Sequence, residues 1–368
     1  MYRVVRDHLD GFLREARAQH GGFPPFIEKT FRAFLRCGDP AQGLIRLHCE
    51  SCGHDDVIAF SCKKRGVCSS CNARSMAEGA AHLVDHVLPH VPYRQWVFGY
   101  PFELGGMLAF QPDLLLAVER LVTDALCRWQ ADRGDGKPGG IFVRHRFGSG
   151  LNLTLHGHVL LVDGVYRTSE SGELQFVPTQ APTQAELQSL AENIHRRLLT
   201  LLRRRGLLRE DTHENNEQLE LDALLSCNRA ARSVGKRERS GPALSAVDEE
   251  DMEQPRGGLS ARLHGLHVYT STPITDRESL EKLCRYLLRG PMAQERLKQR
   301  PDGTLTYRLK KADRRGNTVL VLSPTELLMR LSVRRSPTGP PPVRARRSRS
   351  RFGTRKQPRG FPTVPSAG

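Results

Sequence analysis

The chain opens on a helical rhythm: Val4, Val5, Leu9, Phe12 and Leu13 recur at three- and four-residue spacing. Phe31, Phe34 and Leu35 repeat it, so the block up to Gly38 is predicted to be helical. Ala77, Ala80, Ala81, Leu83 and Val84 place a further helix over residues 75–88, stopped by Pro89 and Pro92. Amphipathic helices are also predicted over residues 114–129 and 184–207. Shorter apolar runs predict strands at residues 141–144, 151–162, 174–177 and 263–270. Residues 228–260 mix charge, Ser, Gly and Pro without periodicity and read as a loop. From Arg334 onward the chain is rich in Arg, Pro and Ser with almost no apolar content, a composition that does not fold.

The sharpest pattern is LNLTLHGHVLLVDGVY, Leu151 to Tyr166. Its front half alternates, so Asn152, Thr154, His156 and His158 share one face of a strand, with Leu151, Leu153, Leu155 and Val159 on the other. Val159 to Val162 are apolar on both faces, as in a strand covered on both sides. Two imidazoles two residues apart project side by side and can share one divalent ion. An unliganded reading places them on a solvated sheet face. Gly157 between them weakens the strand and is expected to leave a gap behind the histidines.

Composition narrows the partner. With 56 Lys+Arg against 40 Asp+Glu, the 368-residue chain carries a formal charge of +16. An excess of this size favours an anionic polymer, meaning nucleic acid, over a small acidic substrate. No apolar run reaches membrane-spanning length, and Arg3, Arg6, Asp7 and Asp10 do not fit a signal peptide. The expected place is the cell interior, associated with DNA. The length is enough for two or three domains.

Six of the nine cysteines lie between Cys37 and Cys71. Cys49 with Cys52 and Cys68 with Cys71 form two CxxC knuckles fifteen residues apart, a spacing at which two turns converge on one tetrahedral zinc ion. Four thiolates leave no open position, so the expected zinc is structural. Cys37, Cys62, His48 and His54 are spare candidates, and Cys62 is read as a buried thiol. Between the knuckles, Lys63, Lys64 and Arg65 form a cationic turn that either contacts phosphate or is simply solvated.

Thr275 and Glu278 have the form of a capping box ahead of a helix in which Leu280, Leu283, Cys284, Leu287 and Leu288 make one stripe. Tyr286 lies at the edge of that stripe, with Lys282, Arg285 and Arg289 on the outer side. A phenol among cations suits attack on a phosphate; a tyrosine packed at a helix edge is the plainer alternative. Arg94, Trp96 and Tyr100 are weaker candidates for contacting bases, and Trp96 suits core packing better.

Taken in order, these elements resemble the rolling-circle transposases of the HUH class, specifically the IS91 type and its common-region relatives. The strings FLRCGDPAQGLIRLHCESCG, SCKKRGVCSSC, PYRQWVF, HRFGSGLNLTLHGHVLLVDGVY and DRESLEKLCRYLLRGP carry the likeness, which covers roughly residues 2–331. The resemblance implies an α+β protein. Residues 1–90 would form a helical and zinc-ribbon-like domain, and residues 91–332 an HUH nuclease domain with a central antiparallel sheet flanked by helices. Residues 333–368 would be a disordered basic tail. His156 and His158 match the family's metal-binding pair and Tyr286 its nucleophile. The implied reaction is cleavage and rejoining of single-stranded DNA through a covalent 5′-phosphotyrosine, with Mg²⁺ or Mn²⁺ at the histidines, a third ligand unidentified, and no nucleotide cofactor. Lys63, Lys64, Arg65, Lys282, Arg285 and Arg289 are the expected DNA contacts. Lys282 stands where relatives with two tyrosines carry the second one, and the family pattern stops at about Ser332. The alternatives are a zinc-ribbon DNA-binding protein without catalysis, a hydrolytic nuclease that activates water, and an inactive copy with an altered carboxyl end.

Overall fold

The computed structural model describes residues 1–64, 66–148, 150–208, 257–312 and 316–332. Its centre is a five-stranded antiparallel sheet in the order β4-β5-β3-β9-β8. The strands are β3 (Tyr93–Gly99), β4 (Gly140–Phe147), β5 (Leu153–Val162), β8 (Leu259–Leu263) and β9 (Leu266–Thr270). Every residue of β3 is buried, because the strand is paired on both edges and covered on both faces. The earlier elements are α1 (Tyr2–His20), α2 (Pro25–Leu35), the ribbon of β1 (Leu44–His48) and β2 (Asp55–Ala59), and α3 (Ser69–His82). Helices α4 (Phe102–Phe110) and α5 (Pro112–Gly134) follow β3. A second ribbon, β6 (Gly164–Thr168) with β7 (Leu174–Pro178), leads to α6 (Gln184–Arg204). After the sheet come α7 (Arg277–Leu287), the three-stranded sheet of β10 (Leu297–Gln299), β11 (Leu305–Arg308) and β12 (Val319–Leu322), and α8 (Pro324–Ser332).

Alternation along the strands divides the core into two layers. Trp96, Phe98, Val159, Leu161, Ala261 and Val268 face α5 and α6. Tyr93, Ile141, Leu160 and Val162 face the opposite way, against Ala80 of α3 and Leu280, Cys284 and Leu287 of α7. The tyrosine helix therefore lies on the same sheet face as the even-numbered residues of β5. A third core joins the two ends of the chain: α1 and α2 pack with Val67, Cys68, Leu305, Tyr307, Leu322 and the leucines of α8. Residues from Leu297 to Leu331 thus share a core with the amino-terminal helices.

Three local expectations change. The strand predicted at residues 263–270 is instead a hairpin, β8–β9, turning at His264 and Gly265, both at positive φ. Two successive left-handed residues make the tight turn whose twist matches paired strands, so the apolar run folds back on itself. With β8 starting at Leu259, the end of the predicted loop is strand; residues 209–256, which include most of that loop, lie outside the described residues. At the start of β5, Leu151 is not in the ladder. It has φ of 60° and is buried in the end-joining core, so alternation begins only at Leu153. The basic tail also lies outside the described residues.

Candidate active site and metal centres

His156 and His158 are fixed by the central ladder. In β3 they lie opposite Gly99 and Val97, and in β4 opposite His145 and Val143. Directly opposed residues share a sheet face, so a third imidazole, His145, joins the pair. The three offer ligand atoms that all lie within 4.8 Å of one another; His156 and His158 are buried and His145 is half-buried. Ring centroids are 5.0 Å apart for His156–His158, 4.4 Å for His145–His158 and 5.3 Å for His145–His156. The solvated-face alternative is excluded, because His156 and His158 expose only 3% and 1% of their surface.

Each imidazole is held from outside the cluster. His145 Nε2–H donates to the Leu287 carbonyl of α7 at 2.7 Å, and His156 Nδ1–H donates to the Thr154 carbonyl at 3.1 Å. His158 Nδ1 lies 2.9 Å from Nε2 of the Gln95 side-chain amide, while the histidine's own Nε2 is buried with no hydrogen-bond partner. Burial first, then His145, His156 and Arg289, push the His158 pKa well below its ordinary value. A neutral imidazole with a buried, unpartnered nitrogen beside two more imidazoles fits a divalent cation. This donor set suits Mn²⁺ better than the harder Mg²⁺, which prefers oxygen.

Tyr286 stands beside this triad. Its ring centroid is 5.8 Å from that of His158 and 6.1 Å from that of His145. Arg289 lies 4.1 Å over the ring and its Nη2 donates to the phenol oxygen at 3.3 Å. Lys310 brings its Nζ to 5.8 Å from the same ring. Arg289 is thus at the site, whereas Lys282 and Arg285 are exposed and paired along their own helix with Glu278 and Glu281. His145, Gln95 and Lys310 carried no signal in the sequence, because only the ladder and the terminal sheet bring them here. The nearest clue was HRFGSGLNLTLHGH, with a histidine at its head.

Behind the site, the gap expected at Gly157 is filled. A Cβ at Gly157 would meet the Phe142 ring at 2.6 Å, so the missing side chain makes room for an aromatic from β4. On that opposite face the Glu119 carboxylate accepts a two-pronged pair of hydrogen bonds from Arg144. The weaker base-contact candidates are all interior. Arg94 pairs with Asp163 through two 2.9 Å contacts, Trp96 sits in the core, and the Tyr100 hydroxyl is buried.

The cysteines sort differently from the expected knuckle pair. Cys68 and Cys71 gather with Cys37 and Cys62, all four thiols within 4.8 Å of one another. Measured Sγ separations are 3.6 Å (Cys37–Cys71), 3.7 Å (Cys62–Cys71) and 3.7 Å (Cys37–Cys68). Zinc–sulfur bonds of about 2.3 Å at tetrahedral angles require sulfurs about 3.8 Å apart, so this cage is zinc-sized. Backbone N–H groups of Cys62 and Lys64 donate to the Cys37 and Cys62 sulfurs at 3.3 and 3.4 Å. Burial raises the Cys68 thiol to about 11. It would raise Cys71 too, but hydrogen bonds from Cys37, the Lys63 backbone, Cys62 and Cys68 hold it at about 7.

Cys49 and Cys52 stand apart from that cage, exposed at the tip of the β1–β2 ribbon. There Ser51 and the Cys52 backbone draw the Cys49 thiol down to about 6. The spacing rule found two of the four clustered thiols; it missed Cys37 and Cys62 because they are single cysteines that packing brings in. Lys63 is exposed with φ of 52°, Lys64 is half-buried, and Arg65 lies outside the described residues.

Two family models match the chain. One, described as "Transposase zinc-binding domain", matches residues 4–100. The other, described as "Putative transposase", matches residues 139–345, more than half of the chain. The second match runs past Ser332, where the sequence pattern was expected to stop. No curated protein and no solved structure matches.

Proposed function

The chain belongs to the IS91-type transposase family, and from that premise we propose that it cleaves and rejoins single-stranded DNA through Tyr286. A transposase acts on DNA, and the amino-terminal domain is a zinc-binding one. The single observation that carries the finer reading is the meeting of one tyrosine and two cations with three clustered imidazoles over one sheet face.

His145, His156 and His158 would hold a divalent cation, Mn²⁺ in preference to Mg²⁺. When bound, it supplies Lewis-acid stabilisation of charge on the scissile phosphate. The remaining work falls to the chain. The phenol oxygen of Tyr286 attacks phosphorus and gives up its proton; the P–O3′ bond breaks, the 3′-oxygen takes up a proton and departs as a 3′-hydroxyl, and the 5′-phosphate stays esterified to the tyrosine. A phenol is a weak nucleophile near neutrality, so the phenolate needs nearby positive charge. Arg289 provides it by stacking over the ring and donating to the oxygen, and Lys310 adds a second cation beside the ring. Because the ester keeps the bond energy of the broken strand, a later 3′-hydroxyl can reverse the step without a nucleotide cofactor.

The cage of Cys37, Cys62, Cys68 and Cys71 is the proposed structural zinc site, replacing the expected Cys49–Cys52–Cys68–Cys71 set. Lys63, Lys64 and Arg65 remain candidate phosphate contacts between Cys62 and Cys68, whereas Lys282 and Arg285 are more remote ones.

The test is an adduct assay with a 3′-labelled single-stranded oligonucleotide and Mn²⁺. Wild type should yield a labelled band that survives SDS and disappears on protease treatment. Tyr286→Phe should give none, and the double variant His156→Ala/His158→Ala should lose at least about two orders of magnitude of rate, as expected on removing electrostatic stabilisation of the transition state. Cleavage without any adduct would instead identify a nuclease that activates water, and adduct formation by Tyr286→Phe would move the nucleophile elsewhere.

A further inference from the structure

Two of the three imidazoles have their proton positions fixed by their surroundings. His145 Nε2 and His156 Nδ1 each face a backbone carbonyl, which can only accept. The nitrogen facing the carbonyl must carry the proton, and the other ring nitrogen keeps its lone pair for a cation. His158 is different. Its Nδ1 lies 2.9 Å from Nε2 of the Gln95 side-chain amide, and a half-turn of that amide puts the acceptor Oε1 in the same place.

That choice decides whether His158 can ligate. With Gln95 Nε2–H toward Nδ1, the imidazole proton sits on Nε2, a buried N–H with no partner. With Oε1 toward Nδ1–H, the proton stays on Nδ1 and the Nε2 lone pair turns into the cluster. Resting on the metal-site reading above, we propose that Gln95 is a positioning residue: its Oε1 selects the metal-binding tautomer of His158.

The surroundings suit that task. Gln95 is 4% exposed and lies on the central strand β3. Its backbone is clamped at both ends of the peptide: its N–H donates to Ser271 Oγ at 3.0 Å, and its carbonyl accepts from the Ser271 N–H at 2.9 Å. The Ser271 hydroxyl in turn donates to the Thr272 carbonyl at 2.7 Å. A side chain on so fixed a backbone can pivot its amide while holding its distance to His158. Outer partners of this kind orient the ligand and raise its basicity, and losing one weakens metal binding by about 10–100-fold.

The experiment is calorimetric titration of Mn²⁺ into zinc-loaded full-length protein, with the melting temperature and zinc content of each variant as folding controls. Gln95→Leu, which keeps the bulk and removes the acceptor, should bind Mn²⁺ about 10–100-fold more weakly. Gln95→Glu, which can only accept from Nδ1–H when ionised, should bind as tightly as wild type or more tightly. Gln95→Leu matching wild type would overturn the proposal, and so would Gln95→Glu binding more weakly than wild type, which keeps the test decisive if the leucine variant does not fold. The double variant His156→Ala/His158→Ala supplies the blank. Wild type binding no more Mn²⁺ than that blank would remove the metal site itself and this role with it. A tight wild-type site untouched by Gln95→Leu would remove only the role of Gln95.

Discussion

At the residue scale, Gly157 shows how one missing side chain is used. The void behind His156 and His158 invites a larger apolar residue, but Phe142 already occupies it, and an added Cβ would lie 2.6 Å from its ring. Gly157→Leu should therefore destabilise the protein by about 1–3 kcal/mol through overpacking. Urea unfolding measures it, and a stabilised variant would show that the pocket is empty after all. The glycine itself was visible in the sequence. Phe142 was not, because the residue opposite it depends on strand register, which pairs Arg144 with Gly157 and Phe142 with Val159. Register likewise brings His145 opposite His156, while the cations at Tyr286 come from just beyond α7 and just beyond β11.

At the scale of the element, the tyrosine helix α7 was legible in outline. Its apolar stripe is buried as expected through Leu280, Cys284 and Leu287. The cap differs by one position: the Asp276 carboxylate, not Thr275, accepts from the Ser279 N–H, at 2.7 Å. Both residues are ordinary N-caps, and sequence spacing alone cannot choose between them. That backbone hydrogen bond, first, holds the Asp276 carboxyl below its ordinary range. Its contribution is therefore present above the unfolded carboxyl pKa of about 4 and is lost as pH falls through the lower folded value. Asp276→Ala should lower the melting temperature at pH 7, and the difference from wild type should shrink in acid, while Thr275→Ala should change little. Equal effects of the two variants at pH 7 would contradict this cap. The far end of α7 is set by contact with α3, where a Cβ at Gly290 would run into Asn72 and one at Gly79 would lie 2.9 Å from Leu288.

At the scale of the whole molecule, the cysteine cage and the sheet face bearing His156, His158 and Tyr286 are mechanically joined. Cys68 caps the start of α3 and Cys71 lies in its first turn. The same helix packs on the sheet beside α7, and Ser69 donates to Gln294 just beyond that helix. In small zinc modules the metal contributes about 10–16 kcal/mol, comparable to or larger than the whole stability of a typical domain. Stripping it should disturb the placement of Tyr286 as well as the amino-terminal helices. Cys37→Ser and Cys62→Ser should release zinc, lower the melting temperature and suppress adduct formation together. Cys49→Ser and Cys52→Ser, on the exposed ribbon, should keep about one zinc per chain, as four thiolates bind one ion. Elemental analysis decides the assignment: zinc lost from Cys49→Ser but kept in Cys62→Ser would restore the knuckle pair expected from spacing.

The α+β character, the helical stripes, the buried strand bearing His156 and His158, the cysteine-rich segment and the family were all legible in the residues alone. Each rests on periodicity or short spacing, which the backbone converts directly into a shared face. No helix among the described residues is long and apolar enough to cross a membrane. Which cysteines meet, that His145 joins His156 and His158, that Gln95 touches His158, and that α8 closes on α1 rather than on the central sheet came only with the folded chain. Those contacts join residues far apart along the chain, through strand register and helix packing. Their partners are set by burying apolar area across the whole molecule, a quantity that no local window of sequence contains.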